Sequence, residues 1–435
     1  MDLITLGILG FIALVVLLFL GMNVGFTMVA VGFVGYILAV NPAAALGIIK
    51  TVPINTVLSF DLSVIPLFVL MGQFCLHSGI STKLYNTCYK WLGRMKGGLS
   101  IATIGATALF ATLCGSAPAT AATMGTVCLP EMKKYNYKDT LATGCLAAGG
   151  TLGILIPPSV AFILYGITTS TSIGRLFAAG LFPGIVLTIL YIFTIMIICR
   201  IDKKAGPRSD ETFTWGEKFR ALKDVIPMVI LFVLVIGGIF AGLFTANEGA
   251  AIGAVGSFIF LVFSGRLSRK VMKAALLGTV KTTGMIFLIL VGAKVFGAFL
   301  TITRLPTLIA GGIGGLGLGP YGVIIIILLI MIGLGCLMDE LAMILLLVPI
   351  FYPLVLELGI NPYWFGVMLV ISLMMGQILP PVGINVFVIQ GVAKTVPMGT
   401  VYRGVAPFNL ACALGIAIVM TFPALALSLP TALYG

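Results

Sequence analysis

Two pairs of segments in this 435-residue chain place backbone breakers and oxygen-bearing residues inside otherwise apolar runs. The first pair is Cys114-Gly115-Ser116-Ala117-Pro118 and Gly149-Gly150-Thr151-Leu152-Gly153-Ile154-Leu155-Ile156-Pro157-Pro158-Ser159. The second is Leu337-Met338-Asp339-Glu340 and Gly376-Gln377-Ile378-Leu379-Pro380-Pro381-Val382-Gly383. Proline has no backbone donor, so carbonyls in the turn before each Pro-Pro pair lose their partners. Freed carbonyls at membrane depth are what a desolvated cation needs, and an intramembrane carboxylate such as Asp339 has a cation as its natural partner. A half-helix restarting after a break presents N–H groups that suit a carboxylate. The chemistry on offer is ion and organic-anion binding. Motifs for other chemistry are missing: there is no HExxH, GxSxG or GxxxxGK[ST], and Asp339 has no second Asp in a matching frame.

The elements that hold these segments must be transmembrane helices. Apolar residues make up 60% of the chain and charged ones only 9%, far below the roughly 25% of a soluble globular protein. Runs such as residues 321–338 are solidly apolar, which excludes the alternating pattern of a β-barrel. Glycine (54) and proline (21) are heavy even for membrane helices, as broken spans require. The first span lacks a basic leader and a small-residue cleavage site, so it is expected to be retained. Eight scattered cysteines without CxxC spacing and the single His77 make neither a disulfide framework nor a zinc site.

The net charge of +12 falls mostly in four patches, residues 83–96, 133–138, 200–223 and 266–281. Basic patches in short loops mark the cytoplasmic side, and patches separated by spans cannot form one nucleic-acid groove. Residues 97–133 are apolar yet bounded by basic patches on both sides, so they must enter and leave on the same side. Their broken middle predicts a re-entrant hairpin of two half-length helices. Residues 320–357, joined at Asp339 and flanked by non-basic segments, predict a second hairpin from the opposite side. Broken helices follow each hairpin, at 137–168 and 362–395. Residues 1–96 and 200–300 supply scaffold helices and a polar cytoplasmic loop whose 215–219 stretch suits the membrane interface. The glycine-rich 306–320 stretch is expected outside, the last span is expected over 406–427, and the side of 41–60 is ambiguous because of Lys50 and Pro53.

The halves repeat. Gly153 and Gly376 each precede a Pro-Pro pair by four residues, Gly166 and Gly174 are eight apart like Gly391 and Gly399, and Arg175…Pro183 is echoed by Arg403…Pro407 with a different final spacing. Because the hairpins open to opposite sides the repeat is inverted. Inverted repeats with broken helices characterise secondary transporters, which bind substrate and coupling ion near the midplane between the repeats. Gated alternating access fits this arrangement better than an open channel.

With Pro130-Glu131-Met132, Ser172-Ile173-Gly174-Arg175-Leu176-Phe177, the run from Gly150 to Ser159, Asp339…Ala342…Pro349 and Pro380-Pro381-Val382-Gly383, nearly the whole chain resembles the large membrane subunit of TRAP (tripartite ATP-independent periplasmic) transporters. The resemblance implies an elevator-type transporter of the bacterial inner membrane. Na⁺ drives it, a small four-helix membrane subunit flanks it, and a periplasmic substrate-binding protein delivers an organic acid such as a C4-dicarboxylate or a sialic acid. Uptake without a binding protein, as in a stand-alone Na⁺/dicarboxylate symporter of related fold, is the competing reading.

Na⁺ takes roughly five or six hard oxygens, which hydroxyls and freed carbonyls supply. The first Na⁺ site is expected at the first hairpin tip and first break, from the Ser116 and Thr120 hydroxyls and the carbonyls of Gly153, Ile156 and Pro158. The second is expected from Asp339, with Gly376, Leu379 and Pro381 at the break and Ala342 and Met343 one turn into the following helix. Asp339 also suits the cap of that helix, and Glu340 is read as secondary, facing solvent at the mouth. For the substrate carboxylate, Ser116 and Ser159 present hydroxyls beside the half-helix N-terminus. Arg175 or Arg403 is a competing clamp, and Asn385 and Gln390 are further polar contacts.

Overall fold

The computed structural model describes residues 2–208, 211–314 and 317–435. In chain order the helices are α1 (Leu3–Phe19), α2 (Val24–Ala39), α3 (Pro42–Val57), α4 (Val64–Ser78), α5 (Ile80–Leu92), α6 (Gly98–Cys114), α7 (Ala117–Lys134), α8 (Asp139–Thr151), α9 (Val160–Thr169) and α10 (Ile173–Ile201). Helix α11 (Trp215–Phe232) passes through a π-helical turn, Val233–Gly237, into α12 (Gly238–Phe240). Then come α13 (Ala246–Phe263), α14 (Arg269–Thr303), α15 (Leu305–Gly314), α16 (Pro320–Gly335), α17 (Glu340–Glu357), α18 (Pro362–Gly376), α19 (Ile384–Ala393), α20 (Met398–Thr421) and α21 (Ala424–Tyr434). Among the described residues, seven helical segments are long and apolar enough to cross a membrane.

Both hairpins and both broken helices are present. α6 and α7 turn at Gly115-Ser116, while α16 and α17 turn over the longer Cys336–Asp339 stretch. α8 and α9 form one interrupted span, α18 and α19 the other, and each interruption holds a cis Pro-Pro bond, at Pro157-Pro158 and Pro380-Pro381. The halves interlock across the pseudo-symmetry: α9 packs against α17 of the second hairpin, and α19 packs against α7 of the first. The repeat is therefore a physical one.

Burial follows composition. Leu141–Thr151 of α8 and most of α18 from Trp364 to Gly376 are buried on every side, as expected of helices apolar all round. Lipid is as apolar as leucine, so van der Waals fit and not water exclusion holds such helices together. The run Gly144-Cys145-Leu146-Ala147-Ala148-Gly149-Gly150 provides that fit. A Cβ added at Gly144 would lie 2.3 Å from the Gly404 carbonyl oxygen of α20, so the two backbones touch. At the cytoplasmic end Lys138 donates to Asp202, tying the start of α8 to the end of α10. The ammonium holds the Asp202 carboxyl below its ordinary value.

Four stretches differ from the sequence expectation. The basic 83–96 patch is largely helical. α5 carries Lys83 and Lys90 on its polar side and buries Ile80, Leu84 and Tyr85, the amphipathic pattern of a helix at the membrane surface. Within residues 41–60, Pro42–Val57 form α3, capped by Asn41 with Pro42 at its first position. The 266–281 patch is the first turns of the 35-residue α14, whose length of about 52 Å exceeds the hydrocarbon core. The last span begins earlier than expected, and Phe422-Pro423 separates it from α21, because proline cannot continue the helix. The 200–223 and 306–320 stretches each include two residues outside those described.

Replacing Gly144 by Val should drive a side chain into the Gly404 backbone and cost about 1–3 kcal/mol, read as a lowered melting temperature of the detergent-purified protein. Gly391→Ala, where an added Cβ meets nothing within 4 Å, should leave melting unchanged or slightly raised.

Candidate ion and substrate site

The first hairpin tip is built around Gly115, whose φ of +64° and close approach to the first break both favour glycine. A Cβ there would lie 3.0 Å from the Pro158 carbonyl oxygen. The Gly115 carbonyl in turn accepts from the Val160 amide at 3.4 Å, joining the tip to the restart of α9. Gly153 closes the other side: its Cβ would lie 2.8 Å from the Ser116 carbonyl oxygen and 2.9 Å from Thr120 Oγ1. Ser116, Thr120, Gly153 and Pro158 thus converge, as the sequence predicts. The convergence fits a cation. Thr120 Oγ1 is fully buried and, apart from the weakly bonding Cys114 thiol, meets no hydrogen-bond partner among the described residues. The Ile156, Pro157 and Pro158 carbonyls accept no hydrogen bond among them either. The Ile156 side chain turns away, against Gly184 of α10, leaving only its carbonyl as a possible donor of electrons.

Ser159 is placed differently from expectation. Its buried hydroxyl donates to the Ile154 carbonyl and accepts from the Phe162 amide at 3.4 Å, so it repairs both sides of the break and caps α9. That leaves it turned into the protein and away from a substrate.

The second tip meets the second break through the same backbone link. The Gly383 amide donates to the Cys336 carbonyl at 3.0 Å, and Gly383 stands two residues beyond its Pro-Pro pair just as Val160 does. A Cβ on Gly376 would lie 2.8 Å from the Gly335 carbonyl carbon, so these backbones also touch. Asp339 is half-buried and caps α17, its Oδ2 accepting from the Leu341 amide at 3.3 Å. A capping carboxylate keeps further lone pairs for a cation. The Leu379 amide donates to the Gly376 carbonyl, and the Leu379 carbonyl points into the bend at Gly383. The Pro381 carbonyl, however, accepts from the Tyr402 hydroxyl at 2.7 Å. Ala342 and Met343 are buried in the regular first turn of α17, where helix bonds consume the carbonyls, so their contribution is packing.

Glu340 is the main departure. It does not face solvent: it is 3% exposed, and Oε2 accepts from Gln377 Nε2 at 2.5 Å. A carboxylate excluded from water needs such a donor, and Gln377 stands in the break opposite. Sequence reasoning missed Gln377, although a lone amide between Gly376 and Ile378 in an apolar span was the available signal. Tyr402 and Asn409 of α20 were missed too. Asn409 Nδ2 donates to the Ile378 carbonyl at 3.2 Å, so α20 braces the break at two points.

Asn385 of α19 is fully buried and crosses between repeats, donating to the Ala147 carbonyl of α8 at 3.3 Å while its Oδ1 has no partner among the described residues. Gln390 lies in the last turn of α19, its carbonyl accepting from Lys394. Arg175 is not at the tips. Its Nη2 donates to the Tyr434 carbonyl at 3.1 Å and its guanidinium stacks 5.5 Å from the Tyr434 ring, which makes it a brace for α21. Arg403 lies on exposed α20 surface and makes no ion pair among the described residues.

Glu340→Ala should strand the buried Gln377 amide and destabilise the protein by about 1–3 kcal/mol, seen as a lower melting temperature. Glu357→Ala, on an exposed carboxylate of the same helix, should leave melting unchanged.

Comparison with known proteins gives the family. The chain is 35% identical over 373 residues to the C4-dicarboxylate TRAP transporter large permease protein DctM of Pseudomonas aeruginosa, covering 85% of this chain and 86% of that one. It is 33% identical over 420 residues to the sialic acid TRAP transporter large permease protein SiaM of Vibrio cholerae, covering 96% and 97%. The structure of the YdaH transporter from Alcanivorax borkumensis superposes with a TM-score of 0.65 over 89% of this chain and 90% of that one, at 16% identity, a likeness of fold alone. The model of the tripartite ATP-independent periplasmic transporter DctM component matches residues 11–425. The chain belongs to that family, as a large membrane subunit of TRAP transporters and a multi-pass protein of the bacterial inner membrane, and it is a permease, not an enzyme.

Proposed function

We propose that this chain imports an organic acid by Na⁺-driven, elevator-type alternating access, receiving it from a periplasmic binding protein and working beside a small membrane subunit. The observation that carries the proposal is the paired closure of tip on break, Val160 to Gly115 and Gly383 to Cys336, with the Thr120 hydroxyl and the Ile156 and Pro158 carbonyls beside the first and the Asp339 carboxylate and Leu379 carbonyl beside the second. Na⁺ is held at the first closure by Ser116, Thr120 and the carbonyls of Gly153, Ile156 and Pro158. At the second it is held by Asp339 with the Gly376 and Leu379 carbonyls. A bound cation ties each tip to its break and offsets the charge of an arriving carboxylate, so ion and acid bind together. Ser116, at the start of α7, and Asn385, with its free Oδ1, supply polar contacts to the acid.

The moving unit consists of the two hairpins and two broken helices, and the scaffold consists of the helices before α6 and between α10 and α15. Relatives support the substrate class: besides the C4-dicarboxylate and sialic acid permeases, the chain is 33% identical over 358 residues to the 2,3-diketo-L-gulonate TRAP transporter large permease protein YiaN of Escherichia coli. The isethionate TRAP transporter permease protein DctMQ of Oleidesulfovibrio alaskensis supports a membrane partner, since the match covers only 53% of its length. The remainder is long enough for a second membrane component.

The test is uptake of succinate, sialic acid and 2,3-diketo-L-gulonate into proteoliposomes holding this chain and its small subunit, with and without binding protein, under Na⁺, K⁺ or H⁺ gradients. Uptake of one acid should need both Na⁺ and binding protein. Asp339→Ala should reduce it at least tenfold, and Ser116→Ala should raise the Na⁺ concentration for half-maximal rate. Uptake without binding protein would indicate a stand-alone symporter. Proton-driven uptake surviving Asp339→Ala would overturn the ion assignment.

A further inference from the structure

Lys294 is a charged residue in an apolar stretch of α14, nine residues before that helix ends at Thr303. At 1.5 Å per residue it lies about 14 Å below the end of the helix, well inside the apolar span. The opposite end of α14 carries the basic patch that marks the cytoplasm, so Lys294 belongs to the periplasmic half of the membrane. Its side chain is exposed and makes no ion pair among the described residues. An ammonium at such depth without a partner is costly unless it faces an aqueous path.

The structure supplies that path. Lys294 lines a cavity of about 490 Å³ between α14 and the second hairpin arm, with Leu345 and Pro349 of α17 opposite, Thr168 of α9 beside it, and Thr301 and Asp61 toward the periplasm. A second cavity, of about 620 Å³, also has Asp61 and Ile167 in its wall. Leu345 stands six residues after Asp339, about 9 Å along α17 from the tip. Lys294, the one cation among the described residues lining this cavity, thus stands across it from the α17 arm that leads to the Asp339 tip, while fixed to a different helix. Among the described residues of the lining Lys294 is the one cation and Asp61 the one carboxylate, so a carboxylate of an acid in the cavity settles against Lys294 and away from Asp61.

We propose that Lys294 is an anion-receiving station: its ammonium binds a carboxylate of the incoming acid in this cavity, before the acid passes to the hairpin tips. The assignment rests on the transport reading above and adds the residue and the route by which the acid arrives. It accounts for why no arginine stands at the tips, since the positive charge that attracts the anion sits on the scaffold side and stays there. The acid thus meets a fixed charge first, and a movable site next.

The decisive measurement is the concentration dependence of uptake for whichever panel acid the wild-type complex carries, with wild-type, Lys294→Gln and Lys294→Arg proteins. Lys294→Gln should raise KM about tenfold with the maximal rate within about twofold, and Lys294→Arg should recover most of the loss. Its Na⁺ dependence should match wild type, which separates this station from the ion sites. An unchanged KM in Lys294→Gln overturns the proposal, as does equal loss in both variants when the complex still assembles. A second arm is independent of transport: a membrane-impermeant sulfo-succinimidyl ester should acylate Lys294 from the periplasmic side, read by mass spectrometry, and succinate should slow it. An unreactive Lys294, or labelling that none of the panel acids slows, also overturns the proposal. Failure of wild type to carry any panel acid counts against the proposed function, while the labelling arm still decides this one.

Discussion

Backbone N–H and C=O groups at membrane depth have no water to bond, and each one left unpaired costs several kcal/mol. A helix satisfies its own groups, whereas a broken helix creates orphans that something else must meet. In this chain four interruptions occur inside the apolar region, at two tips and two Pro-Pro turns, and they are arranged to meet in pairs. The Val160 amide finds the Gly115 carbonyl, and the Gly383 amide finds the Cys336 carbonyl. Each tip is thus the lid of a break, and the rest of the fold keeps the four ends in register. Burial of α8 and α18 on all sides follows from that requirement, as does the cross-packing of α9 on α17 and α19 on α7.

The same link is dressed with different side chains in the two halves. The first has hydroxyls, Ser116 and Thr120, and a tip at Gly115 where a side chain would be both crowded and strained. The second has a four-residue tip, the Asp339 cap and the buried Glu340–Gln377 bond. A pair of carboxylates therefore stands at one closure and none at the other. Two closures with the same backbone link thus differ in charge, so on the proposed reading an ion at the second is held against a carboxylate while one at the first relies on dipoles. Tyr402 and Asn409 brace only the second break, which suits a turn that also carries the buried acid.

Positive charge is kept away from this centre. Arg175 is spent on Tyr434, Lys138 on Asp202, and the α5 lysines on the cytoplasmic surface. Lys294 is the exception, placed in the periplasmic half and facing the second hairpin arm across a cavity. On the proposed reading, an organic anion moving inward passes from this fixed cation to tips whose positive charge comes from bound Na⁺, so the acid is not trapped there by a fixed charge.

The residue pattern alone determined the all-helical membrane class, the two hairpins, the two broken helices, the inverted repeat and the meeting of Ser116, Thr120, Gly153 and Pro158. These were legible because apolar length, basic flanks and Gly/Pro breaks are local properties, and because a repeated break implies a repeated partner. Helix content in basic stretches such as α5 was not, since a charged loop and a surface helix share a composition and only packing separates them. Side-chain fates were decided by tertiary structure. Ser159 looks outward in sequence but is consumed by the Ile154 carbonyl and the Phe162 amide, and Arg175 is consumed by a helix that lies 259 residues away. Glu340 reads as a solvent-facing neighbour of Asp339 until Gln377, 37 residues on, closes over it. A hydrogen-bonding group states what it needs in the sequence, but which distant group meets that need depends on where the chain returns.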